Sequence, residues 1–490
     1  MTSAPPSSSL LLSGGTIIAY KEETQSLDVI RYGAVLIKGD TIAALYDTPN
    51  PSDVPAGTEV VDCTNKIISP GFIDTHRHGW QAALKTLAPN TTLADYIFRY
   101  SSPAAGYLFT PEDVYIGQLA GLLEALNAGV TTTLDHAHHI WSPETTKAGL
   151  QGSIDSSARV FWGHDFQGTK TYPLSDQITT FKEIVKTKSP TDDLTTVSAA
   201  YDQWAHASQE DKEAIVNVVK ELNIPVLTVH YVGGAWALEN SPEILQPTGI
   251  LNTDTAVVIS HASAITAAGA NILRATNQFI SITPESEMHY GHSHPTSHLI
   301  QDQGSIGVDT FMTFSTDMIT QARLWLQRTR TRLFDEVLDK WEVPVNNPMS
   351  VNQAFLMATR QGGLALRRPD LGVIRVGAKA DLVIFDGRTP ALLGWRDPVA
   401  AVILHASVGD IEHVIVGGKF VKKDGKLTYA NYESVKDRFL ASVERIQKAV
   451  IERPAPVLEG NFFTGCGYGR ATEVNVTRRG NNGYGEQFLH

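Results

Sequence analysis

The stretch Pro70-Gly71-Phe72-Ile73-Asp74-Thr75-His76-Arg77-His78 decides how the rest of the chain is read. Its apolar start predicts a strand. Side chains alternate along a strand, so His76 and His78 share one face and both imidazoles can grip one ion. A His-x-His pair alone is a weak signal, and its weight comes from four later segments. Gly129-Val130-Thr131-Thr132-Thr133-Leu134-Asp135, Val226-Leu227-Thr228-Val229-His230, Ala256-Val257-Val258-Ile259-Ser260-His261 and Phe311-Met312-Thr313-Phe314-Ser315-Thr316-Asp317 each run apolar or β-branched and finish on a chemically capable residue. Strand after strand ending in His or Asp, with helical stretches between, predicts a (β/α)8 barrel over residues 69–370. The active site of such a barrel gathers at the C-terminal ends of its strands. His76, His78, His230, His261 and Asp317 would then offer imidazoles and a carboxylate, a donor set suited to zinc or ferrous iron.

Outward from the barrel the texture changes. Gly15-Thr16-Ile17-Ile18-Ala19, Gly33-Ala34-Val35-Leu36-Ile37 and Thr41-Ile42-Ala43-Ala44-Leu45 are short β-branched pieces between turns. The same pattern returns at Asp381-Leu382-Val383-Ile384-Phe385 and Ile411-Glu412-His413-Val414-Ile415-Val416. Residues 10–68 plus 371–430 are therefore expected to form one composite β-sandwich, making the whole an α/β protein. The Ser/Pro-rich residues 1–9 read as a disordered leader, and 431–490 as a helix followed by a Gly/Asn-rich tail.

Composition narrows the function. The 490 residues carry 52 acidic and 40 basic side chains, a net charge of −12, and no Lys/Arg block, which argues against nucleic acid and for a small-molecule substrate. No apolar run approaches the ~20 residues of a membrane span. Cys63 and Cys466, outside any Cys-x-x-Cys pattern, cannot build a disulfide framework, so a reducing, cytoplasmic setting is expected.

The Gly71–His78 opening, the Gly129–Thr133 stretch, His230, His261, the Ser315-Thr316-Asp317 end and Gly377-Ala378-Lys379-Ala380-Asp381-Leu382-Val383-Ile384 resemble, in the same order, the amidohydrolase superfamily. The likeness runs from about Leu10 to Lys426. It is strongest to the branch holding triazine hydrolases and guanine and cytosine deaminases. The resemblance implies that His76, His78, His230 and Asp317 bind the metal, that Asp317 doubles as general base, and that His261 faces the attacking water or the substrate. Two-metal members usually carry a carboxylated lysine on the fourth strand. The candidate there, Leu194-Thr195-Thr196-Val197-Ser198-Ala199-Ala200-Tyr201, has none, so one divalent ion is expected, with zinc preferred and iron open. A homodimer is implied in the same way.

Two departures stand out. Deaminases of this branch place a proton-shuttling glutamate three residues after the fifth-strand histidine, and Gly233 occupies that position. Glu287, in Pro284-Glu285-Ser286-Glu287-Met288, falls where the branch often has a substrate-facing polar residue and is the candidate replacement shuttle. Trp80 and Gln81 are expected on the pocket rim, and His292 or His294 in contact with substrate. Of His136, His138 and His139, one or two can point into the barrel mouth. The preferred reaction is hydrolysis of a non-peptide carbon–nitrogen bond in a small cyclic or aromatic molecule. The alternatives are a metal-dependent decarboxylase or other lyase, and a non-catalytic barrel.

Overall fold

Eight short strands rich in Val, Ile and Thr close into a parallel barrel, and both ends of the chain meet in a second sheet beside it. The computed structural model describes residues 9–188, 194–292, 294–310 and 312–474. The leader, apart from Ser9, and the tail from 475 onward lie outside the described residues.

The outer sheet has nine strands: β1 (Ser9–Lys21), β2 (Ser26–Lys38), β3 (Thr41–Tyr46), β4 (Glu59–Asp62), β5 (Lys66–Pro70), β14 (Leu382–Asp386), β15 (Ile411–Val416), β16 (Lys419–Lys423) and β17 (Lys426–Leu427). The order is β17-β16-β15-β14-β5-β1-β2-β3, with β4 added to β1. The junction of the two chain ends is the antiparallel β5/β14 pair, Leu382 opposite Pro70 and Ile384 opposite Ile68. Leu12, Ile17, Val35, Ile42, Ile68, Leu382 and Ile415 fill its core.

The barrel strands are β6 (Phe72–Arg77), β7 (Val130–Ala137), β8 (Arg159–Asp165), β9 (Thr195–Ala200), β10 (Val226–Tyr231), β11 (Ala256–His261), β12 (Phe279–Ile282) and β13 (Gly304–Ile306). Each pairs in parallel with the next, and helices return the chain between them. The helix Pro111–Asn127 shows how the sequence sets these returns. Pro111 occupies its first turn, Thr110 and Asp113 close a capping box, and Gly129 at φ +81° turns the chain into β7.

The eighth strand corrects the sequence expectation. It is the three-residue β13, whereas Met312–Asp317 forms turns and irregular chain; Phe311 lies outside the described residues. Closure runs through the backbone, since Val308 N and Asp309 N both donate to the His76 carbonyl at 3.1 and 2.8 Å. A Cβ on Gly307 would stand 2.8 Å from His76 N, so this close approach requires glycine.

Among the described residues no helix is long and apolar enough to cross a membrane. Cys63 is buried in the outer sheet, and burial pushes its thiol up to about 12, while Cys466 is partly exposed. A thiol reagent should therefore titrate one sulfhydryl in the native protein and both after unfolding. Rapid reaction of both in the native state would contradict this packing.

Candidate metal centre

Strands β6, β10 and β11 bring His76, His78, His230 and His261 to the C-terminal mouth of the barrel. The carboxylate that joins them is Asp309, just beyond β13. Its Oδ1 lies 3.1 Å from His78 Nε2 and 3.4 Å from His76 Nε2. His230 Nε2 is 3.3 Å from His78 Nε2, and ring nitrogens of His76, His230 and His261 fall within 4.8 Å of one another. Asp317, expected here from the sequence, is elsewhere. It caps the helix Met318–Leu338, accepting from Ile319 N at 2.9 Å and Thr320 Oγ1 at 2.6 Å. The reason is the short eighth strand, which ends at Ile306, well before Asp317, and hands the mouth position to Asp309.

The surroundings aim every histidine. His78 Nδ1 donates to the His136 carbonyl at 2.9 Å, and His230 Nδ1 donates to Asp202 Oδ2 at 2.7 Å. His261 Nδ1 meets Thr283 Oγ1 at 3.0 Å and Glu287 Oε1 at 3.3 Å, and His76 Nδ1 meets Ser260 Oγ at 2.7 Å. With Nδ1 engaged, each Nε2 is left for the centre, the arrangement that metal-ligating histidines adopt. Burial pulls His76 well below the usual imidazole range and His230 down to about 4, which keeps both neutral. His261 and Asp309 sit at φ +67° and +70°, strained for side-chain-bearing residues and typical of functional positions.

These residues fit a divalent ion. His76 Nε2 is fully buried without a hydrogen-bond partner. The 3.1 and 3.4 Å separations of Asp309 Oδ1 from His78 and His76 Nε2, and the 3.3 Å between His78 and His230 Nε2, are those of donors around a shared ion ~2.1 Å from each. His76, His78, His230 and Asp309 would hold it.

A cavity of about 740 Å³ opens over the centre, bounded by His78, His230, His261 and Asp309 and by the aromatic rings of Tyr96, Phe166, Tyr290 and Phe463. His292, expected to contact substrate, is in its wall, whereas Trp80, Gln81 and His294 are not. The helical turn Gly79–Leu84 swings the chain inward directly after His78. Trp80 is thereby fully buried, edge-on to Phe109 and Trp141, with its indole N–H donating to His138 Nδ1 at 2.8 Å. Gln81 Nε2 donates to the Tyr96 hydroxyl at 2.9 Å. Each thus supports a wall residue from behind. One is His138, the member of the His136–His139 group that reaches the cavity mouth; the other is Tyr96, which no local motif singles out. Since the indole can only donate, His138 Nδ1 is the acceptor and its Nε2 carries the hydrogen.

Glu287 is likewise not a cavity residue. It is 1% exposed, in the first turn of the helix Pro284–Tyr290, and accepts from Thr283 N at 2.9 Å and Thr283 Oγ1 at 3.1 Å. Its carboxylate joins His261 to His294, which is buried against Ser297 rather than exposed to substrate. Burial alone would raise its carboxyl, but His294 and His261 hold it far below the usual range. Glu287 thus sits behind His261 rather than in the cavity wall, and its contact with the centre runs through that imidazole, which it positions. Replacing it with Gln should lower kcat about 10–100-fold with little change in ring stacking at the cavity, as outer partners of metal-site histidines do; unchanged kinetics would refute that role.

Residues 67–421 match the family model described as Amidohydrolase family. The chain is 25% identical over 450 residues to the 5-methylthioadenosine/S-adenosylhomocysteine deaminase of Pyrococcus horikoshii, covering 88% of this chain and 99% of that one. It is 26% identical over 414 residues to the 5'-deoxyadenosine deaminase of Methanothermobacter thermautotrophicus, covering 81% and 91%. Among solved structures, an adenosine deaminase from Xanthomonas campestris with bound zinc superposes with a TM-score of 0.76 at 18% identity, over 91% of this chain and 100% of that chain. A triazine hydrolase from Arthrobacter aurescens gives 0.75 at 18%, over 89% and 99%. Those two likenesses establish a shared fold.

Proposed function

The chain belongs to the amidohydrolase family, and from that premise we propose that it removes an amino group hydrolytically from a small aminated heterocycle, using a divalent ion held by His76, His78, His230 and Asp309. It is a metal-dependent hydrolase of non-peptide carbon–nitrogen bonds, in keeping with its deaminase relatives. The observation that carries the finer reading is the joining of this donor set to an aromatic-walled cavity able to hold a planar ring. In the reaction a C–O bond forms to water, the C–N bond breaks and ammonia leaves.

When bound, a divalent ion supplies the Lewis acidity that brings the pKa of water toward neutrality. Asp309, held through Oδ2 by Ser286 Oγ at 2.5 Å, presents Oδ1 to take the proton of the attacking water. His261 directs its Nε2 at the same point, and the His138 Nε2–H meets an acceptor nitrogen of the ring. Gly233 leaves the usual glutamate missing, and a side chain there would run into Tyr231, whose hydroxyl would lie 2.8 Å from the added Cβ. Glu239, on the same loop, lines the cavity. We assign it the transfer of the proton to the departing amine. Glu239→Gln should slow ammonia release about 10²-fold at unchanged metal content, whereas full activity would remove it from the mechanism.

Zinc is the favoured ion, supported by the zinc-bound adenosine deaminase of the same fold. A cytoplasmic homodimer completes the proposal. Its support is the family resemblance, the two unpaired cysteines, and the exposed apolar Trp341, Val343 and Val345.

The test is ammonia release from a panel of aminated heterocycles that includes 5'-methylthioadenosine and 5'-deoxyadenosine. Turnover should vanish on chelation and return with zinc. Carbon dioxide without ammonia would make the protein a lyase instead, and no turnover by fully metal-loaded protein would make it a non-catalytic barrel.

A further inference from the structure

The barrel strands that contribute nothing to the first centre also end in donors. His136 is on β7, Asp165 closes β8 and Asp202 lies just beyond β9. His136 is fully buried, and neither of its ring nitrogens has a hydrogen-bond partner. Its Nε2 lies 3.4 Å from Asp202 Oδ2 and 3.7 Å from Asp165 Oδ2. Asp165 Oδ1 is buried and unpartnered as well.

This spacing is informative. An imidazole facing a carboxylate with only a hydrogen between them closes to ~2.7–2.9 Å. His230 Nδ1 does so with the same Asp202 oxygen, at 2.7 Å. His136 faces two carboxylates and closes on neither. Donors around an ion ~2.1 Å away are instead held apart by its coordination geometry. The first centre shows the same signature, a buried unpartnered His76 Nε2 standing 3.4 Å from Asp309 Oδ1.

We propose that His136, Asp165 and Asp202 hold a second divalent cation, separate from the ion of the His76 centre. One imidazole and two carboxylates suit zinc, manganese or ferrous iron, and the two carboxylate charges balance the ion. With no lysine on β9 the two ions are not a lysine-bridged pair. They are linked through Asp202, whose Oδ2 also accepts from His230. Asp165 and Asp202 both line the cavity, so the remaining coordination positions face the substrate space and take water or a nitrogen or oxygen of the bound molecule. The competing state is a proton, an imidazolium held between two carboxylates.

Metal counting separates the two. Protein stripped with a chelator, reloaded with Co²⁺ and desalted should contain two ions per chain by mass spectrometry. Asp165→Asn and His136→Gln should each contain one, and so should His76→Ala. The side-chain change at residue 136 keeps the backbone carbonyl that orients His78, and Asp165→Asn is nearly isosteric, so circular dichroism of both variants should match the parent. The cobalt visible spectrum of Asp165→Asn should retain the bands that His76→Ala loses. A parent chain with one ion, undiminished in His136→Gln and lost in His76→Ala, overturns the second site and leaves the catalytic centre intact. A doubly protonated His136 in ¹⁵N spectra of Co²⁺-free, zinc-saturated protein would overturn it too. An ion lost in His136→Gln but kept in His76→Ala supports the second site while contradicting the first.

Discussion

Asp309→Ala is expected to abolish turnover and Asp317→Ala to preserve it. Asp309 Oδ1 is within 3.4 Å of two imidazole nitrogens at the centre of the cluster. Its removal deletes both a metal donor and the base that accepts the water proton. Lewis-acid catalysis contributes several kcal/mol of transition-state stabilisation, so kcat/KM should fall on the order of 10³-fold or more, with loss of bound metal at the first centre. Asp317 satisfies one orphan N–H, that of Ile319, at the start of a 21-residue helix. Its replacement should cost about 1 kcal/mol of stability, seen as a lower denaturation midpoint, and leave metal content unchanged. Equal loss of activity in the two variants would disprove the assignment of the carboxylate. An Asp309→Asn variant that kept its metal and full rate would remove the base role while sparing the ligand role.

The contrast between these two aspartates shows where sequence reading stops. Seven of the eight barrel strands are long enough to leave a visible apolar or β-branched run, and His76, His78, His230 and His261 lie at the ends of such runs or just past them. The eighth has three residues, Gly304–Ile306, and a glycine on each side of Ser305-Ile306. The downstream segment around Met312-Thr313-Phe314 looks more strand-like because bulky apolar side chains are needed there for a different reason: Met312 and Phe314 pack with Tyr290 and Trp80 beneath the cavity. The signal that could have found Asp309 is steric. Closing a barrel presses the last strand against the first, and Ser305-Ile306-Gly307-Val308-Asp309 has the small residue needed for that contact shortly before its acid.

Trp80 and Gln81 are misplaced by sequence for another reason. Period-two alternation does not extend past His78, because the chain leaves the strand there and enters a helical turn, which rotates both side chains into the protein. The outward role passes to residues from other elements, His138 and Tyr96, whose proximity to His78 no local pattern records. Glu287 illustrates the same limit. Its offset from the seventh strand is legible, but its partners His261 and His294 come from separate segments, and only their convergence shows that it orients a histidine.

Asp381→Ala should be the most destabilising single change outside the centre. Asp381 receives a bidentate bond from Arg159, Nε at 2.7 Å and Nη2 at 3.1 Å, and accepts from Gly417 N at 2.7 Å; both side chains of the pair are buried. Burial alone would lower the Arg159 pKa, but the Asp381 charge overrides it, so the guanidinium stays ionised. Removing the carboxylate leaves a buried cation without its main partner where the barrel meets the outer sheet, at a cost of about 3–5 kcal/mol. Urea unfolding should report that loss as a lower midpoint at similar slope. Arg159→Met combined with Asp381→Leu should recover most of it, because well-packed apolar groups can replace a buried ion pair once both charges are gone. Catalysis by the folded fraction should be unaffected: Arg159 starts a seven-residue strand whose far end, at Asp165, is about 20 Å away. A midpoint within about 0.5 kcal/mol of the parent would mean that water or the neighbouring Asp370 compensates for the lost partner. The pair would then be an orienting contact for β8 rather than the tie between the two sheets.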